Sequence, residues 1–235
     1  MKLLGVIGGM SWTSTAEYYR RINLEVAGRL SHLGLGGLHS ARLLIHSVDF
    51  AEVAAMQRAG EWDAAGELLA GVARQLAAGG AEGLLLATNT MHKLAPQIEA
   101  ATALPLLHIA DATGARLQAA GFTRVGLIAT AFTMEQDFYT GRLSERFGLD
   151  VIVPGAVGRA DIHRIIYDEL CRNVILDESR DRYRRVMADL AARGAQAIIL
   201  GCTEITLLVS QADASVPLFD TTAIHAEEAV SFLLS

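Results

Sequence analysis

Residues 201–205 read Gly-Cys-Thr-Glu-Ile and residues 88–92 read Thr-Asn-Thr-Met-His. Each group follows an apolar run, "AQAIIL" before the first and "GLLLA" before the second. The first gathers a thiol (Cys202), a hydroxyl (Thr203) and a carboxylate (Glu204); the second gathers Thr88, Asn89, Thr90 and His92. A thiol beside a carboxylate is equipped for proton transfer. At a strand end just before a helix, its sulfur is expected to feel the helix N-terminal N–H groups, which favour the thiolate. A free cysteine is equally a small apolar filler. That is the reading of Cys171 inside "IIYDELCRN", and it stays open for Cys202. Small hydroxyl and amide side chains with few fixed charges suit a small zwitterion or dicarboxylate.

Elements must hold these groups in place. "LLGVIGG" (3–9), "RLLIHSV" (42–48), "GLLLAT", "PLLHI", "RVGLIAT", "DVIV", "AQAIILG" and "VPLFD" read as buried strands, most of them separated by helical segments. Ser14 and Glu17 have capping-box spacing, with Tyr19, Ile22, Val26 and Leu30 on one helical face; a second helix runs from Trp62 to Leu76 with Ala65, Leu68, Leu69, Val72 and Leu76 as its stripe. Continuous apolar strands alternating with helices predict an α/β fold with parallel sheets covered on both faces. The chain also repeats itself. "GAEGLLLATNT" (80–90) matches "GAQAIILGCTE" (194–204), "GVIGG" (5–9) matches "GLIAT" (126–130), and "LPLLHIADAT" (104–113) matches "VPLFDTTAI" (216–224), in one order and at nearly one spacing. A duplicated half follows. We expect two pseudosymmetric doubly wound lobes, residues 1–102 with 215–235 and residues 103–214, with a ligand cleft where Gly9, Thr88, Thr130 and Cys202 end their strands.

Composition excludes several classes. Half the residues are apolar (51%) and the formal charge of −6 is spread rather than blocked, so neither nucleic acid nor a membrane surface is an expected partner. Two cysteines make no disulfide framework, which suits the cytoplasm. The seven histidines form no ligand-spaced pair, so no metal is expected. "GVIGGM" is Gly-x-x-Gly-Gly rather than a dinucleotide loop, and no phosphate loop occurs. Its glycines serve a tight turn or a close backbone approach to a ligand.

"GVIGGMSW", "TNTMH" and "GCTEI" together resemble the aspartate/glutamate racemase family, over essentially the whole chain. "HSVDF" (46–50), "TMEQDFY" (133–139) and "FDTTAIHAE" (219–227) resemble its amino-acid racemase branch. The resemblance implies a homodimeric enzyme without cofactor, whose two cysteines flank the α-carbon of a small amino acid. Cys202 matches the second cysteine. Where the family's first cysteine opens a Cys-Asn-Thr motif, this chain has Thr88. The implied roles are Cys202 as acid or base on one face and Thr88, directly or through water, as donor on the other. Met10, Gln57, Asn89, Thr90, Thr130 and Thr203 would line the pocket, with His92 and Glu204 behind the reacting groups. Arg164 in "IHRIIYDEL" is a candidate for a substrate carboxylate, or an exposed helix arginine. With one thiol only, the alternatives are a decarboxylase or cis-trans isomerase of small diacids, or a non-catalytic amino-acid-binding protein.

Overall fold

The computed structural model describes residues 1–235. In the first lobe, β1 (Leu4–Gly8), β2 (Leu43–Ser47), β3 (Gly83–Leu86) and β4 (Leu106–Leu107) form a parallel sheet in the order β2-β1-β3-β4. Helices α1 (Trp12–His32), α2 (Phe50–Ala59), α3 (Trp62–Ala78) and α4 (Ala95–Ala101) connect them. In the second, α5 (Ile109–Ala119), β5 (Arg124–Ala129), α6 (Ala131–Glu135), α7 (Asp137–Phe147), β6 (Asp150–Ile152), α8 (Ala156–Asp168), α9 (Asp177–Ala192), β7 (Ala197–Gly201), α10 (Ile205–Leu208) and β8 (Leu218–Asp220) follow. The last helix, α11 (Thr221–Leu234), belongs from His225 onward to the first lobe, where Ala226, Ala229, Val230 and Leu233 join its core. The sheet of the second lobe, β6-β5-β7-β8, is again wholly parallel and repeats the order of the first. The sequence repeat is thus a repeat of topology: β3 and β7 are equivalent strands, and Thr88 and Cys202 follow them at equivalent places.

The central strands are buried along their length, as apolar runs require when helices cover both faces. Leu84, Leu85, Leu86, Ile198 and Ile199 are fully buried, each such side chain contributing roughly 1.5–3 kcal/mol relative to exposure. In each lobe the strand order reverses between the two central strands, a switch point of the kind at whose carboxyl ends open α/β sheets bind ligands. The sequence-singled groups sit at those ends.

Three expectations are corrected. The lobes divide after His108 and after Ile224, not after 102 and 214. β4 pairs with β3, and β8 with β7, so each closes the edge of its own sheet. The match of 104–113 with 216–224 already made them equivalent; the boundaries belong after these strands. Second, α1 is capped by Ser11, whose hydroxyl accepts from the Ser14 N–H at 3.2 Å, one turn before the expected box. Glu17 instead pairs with Arg20 and Arg21 along the helix surface. Third, the buried face of α1 runs through Tyr18, with Tyr19 half exposed. Tyr18 reaches inward because its hydroxyl has a buried acceptor, Nδ1 of His225, at 2.9 Å.

Gly9 takes a left-handed φ of +95°, and a Cβ there would stand 2.2 Å from the Val48 carbonyl oxygen. Its glycine therefore serves the tight strand-to-helix turn, which its N–H closes by donating to Thr15 Oγ1 at 2.8 Å.

Candidate active site

In the second lobe, β5 and β7 are neighbours with Ala129 opposite Gly201. A Cβ on Gly201 would come within 2.9 Å of the Ala129 Cβ, so glycine lets the two strands end side by side. Thr130 follows β5 and Cys202 follows β7. Thr130 is buried and caps α6, its hydroxyl 3.2 Å from that of Thr133. The next N–H, of Ala131, donates to Nδ1 of His163 at 3.1 Å. Thr203 is buried and accepts from the Thr222 hydroxyl at 3.1 Å. The half-buried Cys202 donates its S–H to Glu204 Oε2 at 3.0 Å.

That hydrogen bond reverses the expectation of an ionised thiol. Burial first, then the Glu204 charge and Cys171, push the Cys202 pKa well above its ordinary value; the Glu204 backbone N–H opposes them weakly. α10 has only four residues and supplies no compensating dipole. At rest Cys202 is a protonated thiol. Cys171 lies on a one-turn helix at Leu170–Arg172 and packs on the lobe's core, its pKa pushed up to about 12 by burial and then by Glu204. It is the packing residue that the sequence indicates. Arg164 pairs with the buried Glu169 at 2.8 Å. Glu169 also accepts from Ser179 at 2.5 Å, so the arginine braces the turn bearing Cys171.

In the first lobe, Thr88 is half-buried after β3, with Asn89 and Thr90 buried at the start of a short helical turn, Thr90–Leu94. Met10 is buried after β1, and the buried Gln57 of α2 donates Nε2–H to Met91 Sδ at 2.8 Å. His92 donates Nδ1–H to the Thr88 carbonyl at 2.7 Å, fixing the turn that presents Thr88. Behind it the ring of His92 contacts that of His108 at a tilt of 59°, with centroids 4.5 Å apart, and meets His225 edge-on. His225 donates Nε2–H to the Leu107 carbonyl at 2.8 Å, so Nδ1 is the acceptor for Tyr18. Burial lowers the His225 pKa to about 4, which keeps this ring neutral.

The sequence reading missed His108, His163, His225 and Tyr183. His163, Tyr183 and His225 lie on helices and His108 directly follows the apolar strand β4; a polar side chain among apolar neighbours was the available signal.

The model of the Asp/Glu/hydantoin racemase family matches residues 7–229. The chain belongs to this family. It is therefore one of the racemases, which are isomerases. It is similar to the crystal structure of a candidate Asp/Glu racemase from Yersinia pestis, at 54% identity over 100% of both chains and a TM-score of 0.92. An aspartate racemase homologue from Pyrococcus horikoshii OT3 is 30% identical over 100% of both chains, TM-score 0.82. The aspartate racemase of Picrophilus torridus shares the fold at 18% identity, over 98% of this chain and 95% of its own, TM-score 0.74. No helix is long and apolar enough to cross a membrane.

Proposed function

We propose that this racemase-family protein inverts the α-carbon of aspartate, glutamate or a related small polar amino acid, without pyridoxal or metal. The reading is carried by Cys202, hydrogen-bonded to Glu204 at 3.0 Å after β7, standing at the repeat position that Thr88 occupies after β3. Cys202 works one face of the α-carbon. Thr88, or a water it positions, delivers the proton on the other. Asn89, Thr90, Thr130 and Thr203 hold the carboxylate, and their hydrogen bonds strengthen as enolate-like charge develops on it. His92 fixes the Thr88 turn, and Glu204 governs the thiol. Met10 and Gln57 line the pocket; Arg164, committed to Glu169, reaches a substrate carboxylate only by leaving that pair. The working form in this reading is a cytoplasmic homodimer.

Proton transfer to and from the α-carbon needs a group that ionises near neutrality, and a hydroxyl is a far poorer base than a thiol. The single thiol is the observation that favours a second reading, decarboxylation or cis-trans isomerisation of a small diacid. One NMR experiment separates these readings. L-amino acids and maleate-type diacids are incubated with protein dialysed against a chelator and a pyridoxal scavenger, and followed in heavy water with chiral analysis. Inversion of an acidic or small polar amino acid, undiminished by dialysis, is the expected result. Conversion of the diacids alone would replace the racemase reading, and activity restored only by a metal would overturn the cofactor-free one.

A further inference from the structure

The Cys202 thiol has a difficulty that its own lobe does not relieve. A base must ionise, yet burial, the Glu204 carboxylate 3.0 Å from the sulfur and Cys171 act most strongly against it, and the Glu204 N–H opposes them only weakly. The turn at Leu170–Arg172 brings Cys171, and Glu169 begins that turn. α9 brings Tyr183, whose hydroxyl is buried without a hydrogen-bond partner and whose ionisation is opposed by burial, Cys202, Glu169, Cys171 and Glu204. A thiolate here would stand about 3 Å from a carboxylate, and two anions so close do not coexist without a cation.

An α-amino acid carries that cation one bond from the carbon that reacts. A sulfur placed against the α-hydrogen lies about 3–3.5 Å from the α-carbon. A carboxylate oxygen 3.0 Å from the same sulfur is then within reach of the α-nitrogen at the roughly 2.8 Å of a charge-assisted hydrogen bond. We propose that Glu204 is the ammonium-binding residue of the site, and that taking up the substrate's ammonium group draws Glu204 off the thiol and lets Cys202 ionise. Glu204 then selects α-amino acids over hydroxy and unsaturated diacids, which bring no cation. The proton balance is simple: Cys202 S–H releases its proton to water, the arriving ammonium keeps its own, and the pair Glu204 with ammonium is neutral beside the thiolate. The inference deepens the racemase reading and rests on it for the identity of the reaction alone.

The test uses the Cys171→Ala protein, in which Cys202 is the single thiol, and iodoacetamide as probe. In this background Glu204→Gln removes the charge while keeping the shape and an oxygen that can still accept from the thiol. We expect Cys202 to be alkylated at least tenfold faster at pH 8 in the Gln variant. Yet the concentration of 2-methyl-L-aspartate that half-protects Cys202 rises at least tenfold, while that of L-malate does not rise. Glu204→Asp, which retains the charge, keeps alkylation slow and restores protection by 2-methyl-L-aspartate. A merely structural role would weaken both probes together and give no gain in alkylation. Unchanged or slower alkylation, equal weakening of both probes, or no protection of the parent by 2-methyl-L-aspartate each overturns the proposal. Neither readout requires turnover. A protein with this pattern that inverts no amino acid would dismiss the racemase reading and keep the ammonium site.

Discussion

Cys202 and Cys171 are both thiols with raised pKa values on one lobe, and their surroundings give them different work. Cys202 donates to Glu204 at the end of a central strand, whereas Cys171 fills space on a short turn against the core. Cys202→Ala should lower inversion by about 10²- to 10⁴-fold or more, the usual worth of a positioned acid or base, with little change in unfolding midpoint. Cys171→Ala should keep most activity. Chiral chromatography of each variant, beside its denaturant curve, checks both, and retained inversion without Cys202 would remove it from the mechanism. The placement of Cys202 after a central strand was legible from the apolar run and the repeat, and that of Cys171 from its helical context. Protonation state was not, because it depends on the carboxylate oxygen 3.0 Å away and on burial, and a helix of four residues was too short to act as its sequence position suggested.

At the scale of elements, the eight strands were legible because a strand covered on both faces must be apolar throughout, and a run of that kind has few other uses. The caps and edges were less so. Ser14 and Glu17 have the right spacing, but Ser11 begins the helix, since the Gly8-Gly9 turn brings the chain into α1 earlier. The domain boundary depended on deciding which sheet a short edge strand joins, and β4 and β8 pair over only two and three residues. One close contact ties the sheet to the chemistry. Gly201 precedes Cys202, and a methyl there would press on Ala129 at 2.9 Å. Gly201→Ala should cost about 1–3 kcal/mol, as overpacking does, and should lower turnover beyond that, because parting β5 from β7 moves Thr130 away from Cys202. Urea denaturation and steady-state rates measure the two effects. A variant of wild-type stability and turnover would mean that the strand ends are not held as tightly as their contact implies.

Over the whole molecule, buried titratable groups set the pH range in which the fold is stable. His225 has its folded pKa lowered to about 4, so an unfolded chain binds this proton first. Its contribution is complete above the unfolded value near 6.5 and is lost as pH falls toward 4, a change of about 3 kcal/mol. Cys171 lies on the other side: its folded pKa of about 12 exceeds the unfolded value, so its contribution is complete below about pH 8.5 and lost as pH rises toward 12. Urea midpoints should therefore fall on both flanks, and His225→Gln should flatten the acid flank between pH 6.5 and 4; an unchanged acid slope in that variant would assign the effect to other groups. The enzyme as a whole is constrained by a further fact. Enantiomers have equal free energy in water, so kcat/KM must be the same in both directions, and a weak donor at Thr88 raises one transition state that both directions share. The asymmetry between Cys202 and Thr88 must appear in proton exchange instead. The most direct measurement follows L- and D-aspartate in heavy water, comparing loss of the α-hydrogen by NMR with inversion by chiral chromatography, in wild type and Thr88→Cys. The account predicts that the enantiomer whose α-hydrogen faces Cys202, expected to be L, exchanges faster than it inverts, that the other exchanges little without inverting, and that Thr88→Cys raises inversion both ways and narrows the gap. Equal exchange and inversion for both enantiomers, with no gain from the cysteine, would contradict it.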